Sequence, residues 1–153
     1  MSSSMGDGRS ARMDDYDEDR GAARAGGARS PMPWQVISAV LLLAMGGIHL
    51  FLVLTGTGGT LGVLFVLNAI GALVLAIAMV VAPRGLLPPA SVLSLLFIVG
   101  TLLALVLALT VGLLGISEQI GGELVVPTIV VESIGIIVLA ATTAMVYRVR
   151  QAR

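Results

Sequence analysis

The chain has no cysteine and no lysine among its 153 residues, one histidine, and few charges, with Asp, Glu, Lys and Arg making up 12%. Without thiols there are no disulfides, no Fe–S clusters and no thiolate metal sites, and the redox compartment stays open. All nine basic residues are Arg, which we read as a coding bias. The single histidine, His49, excludes a bis-histidine haem within one chain. Pairing it with Met45 one turn away gives two ligands and a poor copper site, so Met45 is read as a flexible core residue. The charge content is far below the roughly 25% of soluble domains. No phosphate loop, nucleophile elbow or zincin helix is present, and Gly58-x-x-x-Gly62 reads as turn and packing. These absences point away from an enzyme, from a bound cofactor or metal and from a nucleic-acid partner.

What the chain does have is apolar mass. Hydrophobic residues make up 57% and the mean hydropathy is +1.02, the composition of a membrane protein whose first partner is the lipid bilayer. Four apolar segments, at about 34–55, 60–82, 90–115 and 124–147, are each long enough to cross a hydrocarbon core of about 30 Å. The fold expected is all-α, one bundle of four transmembrane helices over residues 34–148, with no room for a separate catalytic domain. Residues 1–33 carry six acidic and five basic residues among Ser, Gly and Ala, and they read as a disordered cytoplasmic tail rather than a cleaved signal peptide. Residues 149–153 form a short basic end.

The connections fix the expected orientation. Gly56-Thr57-Gly58-Gly59 is an uncharged glycine turn, 83–89 combines Arg84 with helix-stopping prolines, and the stretch from Ser117 to Glu123 is acidic. Every Arg falls in the tail, in the second connection or at the C-terminus, three segments that share one side of a four-span protein. The positive-inside rule places that side, and both termini, in the cytoplasm, for a multi-pass protein of the inner (plasma) membrane. Trp34 follows Arg29 and Pro33 as an interfacial anchor.

Depth counting then picks out three residues. His49 lies six residues in from Thr55, about 9 Å, while Asn68 lies eight in from Thr60 and Glu132 eight in from Leu124, each about 12 Å. All three belong to the half of the bilayer away from the termini. Facing lipid would be costly for each, so the expectation is that they point inward at one another, with Thr110 near their layer and Thr101 deeper. Small residues are expected to share these faces: Gly100, Ala104, Ala108 and Gly112 as a close-approach stripe on the third helix, Ala72 and Ala76 below Asn68, and Ala140 and Ala144 in line with Glu132. Such polar residues often serve as interhelical hydrogen-bond glue worth about 0.6 kcal/mol each. A carboxyl and an imidazole at one depth also make a titratable pair able to carry a proton, bind a polar head group or hold a metal.

The segments Gly47-Ile48-His49-Leu50, Leu64-Phe65-Val66-Leu67-Asn68-Ala69 and Val131-Glu132-Ser133-Ile134-Gly135 resemble uncharacterised four-helix integral membrane proteins of actinobacteria. The resemblance spans about 120 residues and implies a membrane bundle with no assigned activity or cofactor. The functional expectation is a non-catalytic accessory or interaction subunit, or a binder of an amphiphilic ligand, working within a larger membrane complex or a homo-oligomer. The alternative is a small oligomeric proton-coupled transporter with Glu132 as its coupling carboxylate.

Overall fold

The computed structural model describes residues 32–112 and 124–152. Within them are four helices and no strand: α1 Met32–Leu54, α2 Gly59–Val81, α3 Leu87–Thr110 and α4 Val125–Gln151. They have 23, 23, 24 and 27 residues with mean hydropathies of 2.2 to 2.9, long and apolar enough to cross a membrane four times. The outward faces say the same. Leu43, Leu73, Ile77, Leu96, Leu103 and Ile137 all stand exposed, a surface that calls for a hydrocarbon solvent.

The helices form a ring in which α1 packs on α2 and α4, and α3 on the same two. The α1–α2 contact is the most extensive and the α2–α3 contact the thinnest. The core cluster, which includes Leu42, Met45, Met79, Ile98 and Leu139, is closely filled.

Several boundaries differ from those expected. The helix α3 begins at Leu87 and includes Pro88 and Pro89, because the first turn of a helix has no intrahelical use for their missing N–H groups. For the same reason α1 starts at Met32 with Pro33 in its first turn, so residues 32 and 33 belong to the bundle rather than the tail. At the other end α4 runs on to Gln151, with Arg148 and Arg150 in its last turn, where cations suit the negative pole of the helix. The helix α3 stops at Thr110, five residues short of expectation. The expected disordered tail (apart from residues 32 and 33) and the acidic loop with Glu118 and Glu123 lie outside the described residues.

The first connection closes as a glycine-terminated helix end. Thr57 N–H donates to Leu52 O and Gly56 N–H to Val53 O, with Gly56 at φ 116°, the left-handed geometry that favours glycine. Gly62 then tucks beneath this turn, where a side chain would run into the Thr57 carbonyl. The Gly58–Gly62 pair is thus turn and packing.

Candidate functional site

The bundle is closed in the half nearer the termini and open in the other. Between the helices at the Gly56 end lies a cavity of about 800 Å³. Its walls are apolar: Leu61, Leu64 and Phe65 from α2, and Leu96, Phe97 and Leu105 from α3. Leu64 and Leu96 are also exposed on the outer surface, so the cavity reaches the bundle exterior through the thin α2–α3 contact.

Small residues on α3 create this space. Gly100, Ala104 and Ala108 line the cavity, and a Cβ placed on Gly100 would meet nothing within 4 Å. At Gly100 the stripe therefore borders open space rather than another backbone, contrary to expectation. Gly112 is not even on the helix, which has ended at Thr110. Close approach occurs instead between α1 and α2, where a Cβ on Gly46 would lie 2.8 Å from the Ala72 Cβ.

Two of the three residues singled out by depth line the cavity. His49 projects from α1 and is 8% exposed. Its Nδ1 lies 2.9 Å from Met45 O, and since a carbonyl can only accept, Nδ1 is the donor. The neutral ring then offers Nε2 as an acceptor, with no protein partner among the described residues. The Phe65 ring stands edge-on at 4.9 Å and 79° and holds the imidazole plane. Asn68, half-buried on α2, lines the same cavity with its Oδ1 buried and unpartnered.

Glu132 is placed differently. It is fully buried in α4, and neither carboxyl oxygen has a hydrogen-bond partner. Its neighbour is Thr101 on α3, a cavity-lining residue, so Glu132 sits behind the wall. The Thr101 hydroxyl donates to Ile98 O at 2.9 Å and lies 3.4 Å from Met45 Sδ, so no hydrogen bond closes on the carboxyl group. Among the described residues no hydrogen bond or ion pair joins any two of His49, Asn68 and Glu132. What connects His49 to Glu132 is a relay of contacts through Met45 and Thr101.

Two expectations about neighbours are corrected. Thr110 is exposed and bonds back to Val106 O, whereas Thr101 is the residue at the site. With α3 ending at Thr110 rather than 115, Thr101 is nine residues in, about 13.5 Å, close to the roughly 12 Å counted for Asn68 and Glu132. On α4, Ala140 and Ala144 are exposed, and Glu132 shares its face with Thr128, Gly135, Leu139 and Thr142. Each step of four residues turns about 40° past a full circle, so the second and third steps leave the buried face. Alternating steps of three and four stay on it.

A second set of hydroxyls, not foreseen from the sequence, lies in the closed half. Ser38 Oγ and Thr142 Oγ1 meet at 3.0 Å across α1 and α4, and both residues are fully buried. Thr142 also donates to Val138 O at 2.8 Å, which leaves Ser38 as the donor between them. Ser91 and Ser94 on α3 are buried at the same end, Ser94 with no partner for its hydroxyl. Their signal in the sequence is only the three-residue spacing that puts both serines on one helix face.

Comparison with family models, with curated proteins and with solved structures gives no match to this chain.

Proposed function

We propose that this protein is a non-catalytic binder of an amphiphilic ligand, acting as an accessory or interaction subunit in the plasma membrane with both termini cytoplasmic. The observation that carries the reading is the cavity: apolar walls reaching the bundle exterior, with His49 and the unpartnered Asn68 Oδ1 among its lining. That is the shape and polarity of a site for a molecule with a long apolar body and a polar head. The Arg distribution supports the orientation. The test is native mass spectrometry of gently extracted protein. A retained amphiphile is expected, and it should be lost in Gly100→Leu, which adds bulk at a cavity-lining position where a Cβ meets nothing within 4 Å. Protein released bare, or an adduct indifferent to Gly100→Leu, would refute it.

One observation favours a second reading. Glu132, fully buried with both carboxyl oxygens unpartnered, is an arrangement suited to proton-coupled transport by an oligomer. That reading demands substrate-dependent proton flux in liposomes, kept by Glu132→Asp and abolished by Glu132→Gln.

A further inference from the structure

The polar inventory of the cavity is lopsided. Its hydroxyls at Thr55, Thr101 and Thr128 each donate their proton to a carbonyl of their own helix region: Thr55 to Phe51 O at 3.0 Å, Thr101 to Ile98 O at 2.9 Å, Thr128 to Leu124 O at 2.7 Å. A hydroxyl whose proton is committed presents only lone pairs to a ligand. His49 in its neutral form does likewise, because Nδ1 is spent on Met45 O and Nε2 is then left as an acceptor. Asn68 adds an unpartnered Oδ1, and Glu132 adds two unpartnered carboxyl oxygens behind Thr101. Among the described residues the side-chain donors left over are the Asn68 amide and, on the connecting turn, the Thr57 hydroxyl. Among the described residues no arginine lines the cavity; Arg84, Arg148 and Arg150 lie at the opposite end of the helices.

Among the described residues the lining is mostly acceptors, with one acidic group behind it and no cation, and such a site discriminates by charge. A phosphate or carboxylate head would bring further lone pairs against lone pairs, with Glu132 close behind. An ammonium brings N–H donors and the one charge that Glu132, when ionised, can balance, and hydrogen bonds from a charged donor are roughly twice as strong as neutral ones. We propose that the cavity takes an amphiphile with a protonated amine head, its N–H groups donated to His49 Nε2, Asn68 Oδ1 and Thr101 Oγ1, with Glu132 as the counter-charge. The inference rests on the cavity being a ligand site and adds the chemical class of the ligand.

The experiment compares three probes of equal chain length, dodecylammonium, dodecanol and dodecanoate, on the full chain in phosphatidylcholine nanodiscs. Adducts are counted by native mass spectrometry and referenced to Gly100→Leu. The ammonium is expected to bind at least about tenfold more tightly than either other probe, and Glu132→Gln is expected to reduce that preference to near parity with dodecanol. Dodecanol adducts on Glu132→Gln report that this variant is folded; if it does not fold, the wild-type ranking alone decides. Equal binding of the three probes, or preference for the anion, overturns the amine inference while leaving the cavity as a ligand site, provided Gly100→Leu removes the adducts. Absence of every adduct, or adducts untouched by Gly100→Leu, overturns both.

Discussion

Two adjacent glycines on α1 ought to respond to the same substitution in opposite directions. A methyl group on Gly46 would lie 2.8 Å from the Ala72 Cβ and 3.4 Å from Ala69 O, whereas one on Gly47 would meet nothing within 4 Å. Carbon atoms rest at about 3.5–4.0 Å, so Gly46→Ala has to push α1 and α2 apart by about 0.7 Å or more at the most extensive helix contact in the bundle. Overpacking of this kind costs about 1–3 kcal/mol. Both substitutions gain the same helix propensity, about 0.8–1.0 kcal/mol, and that gain cancels in the comparison. Gly46→Ala should therefore be less stable than Gly47→Ala by about 1–3 kcal/mol, with Gly47→Ala at or above the wild type. The assay is reversible unfolding in mixed micelles, followed by circular dichroism. Ala72→Gly in the Gly46→Ala background removes the opposing methyl and should recover most of the loss, because the two sites are in contact and couple. Equal stability of the two alanine variants, to within about 0.5 kcal/mol, would mean that α1 and α2 do not meet at Gly46, and the ring order of helices would have to be redrawn.

Other consequences follow from the same geometry. Gly100→Leu should keep or raise the melting temperature while abolishing amphiphile binding, because it replaces a helical glycine and enters open space; a lower melting temperature would show that the space is not there. The proposed orientation requires that Gly58→Cys react with an impermeant thiol reagent on intact cells and that Arg84→Cys stay protected, and labelling of Arg84→Cys alone would reverse it. His49→Gln and Glu132→Gln should be non-additive by about 0.5 kcal/mol or more in a double-mutant cycle, with the coupling lost in a Thr101→Val background. Coupling that survives without the Thr101 hydroxyl would place the two groups in direct contact.

The four helices were legible because an apolar run of more than 20 residues has few alternatives, and their ends were misjudged where proline acts as a starter. At Pro88 and Pro89 the same residue type that stops a helix interior is welcome in its first turn. Burial of His49 and Glu132 was legible from cost alone: ionisable groups in hydrocarbon turn inward. Which threonine joins them was not. A helical threonine satisfies its own hydroxyl on the carbonyl three or four residues back, as Thr101, Thr110 and Thr142 all do, so it is equally at ease facing lipid or the interior. The Ser38–Thr142 contact across α1 and α4 depends on helix rotation, which hydropathy does not encode when all faces are apolar.

The small residues of α3 carry the same ambiguity, and its resolution bears on function. A run of Gly and Ala in a membrane helix either lets a neighbour approach or leaves a gap, depending on what the neighbour presents. At Gly46 the neighbour presents Ala72 and the helices close; at Gly100 a Cβ would meet nothing within 4 Å, and Ala104 and Ala108 line the same cavity. A sealed void of the resulting 800 Å³, at about 24 cal/mol per Å³, would cost on the order of 19 kcal/mol, more than the roughly 5–15 kcal/mol that holds a domain together. Since the cavity also reaches the bundle exterior between α2 and α3, such a space in a membrane fills with whatever best matches its walls. Apolar sides would accept almost any acyl chain. Discrimination falls to the polar part of the lining, where His49, Asn68 and Thr101 offer lone pairs with Glu132 behind them, and where a head group with protons to give has an advantage over one without.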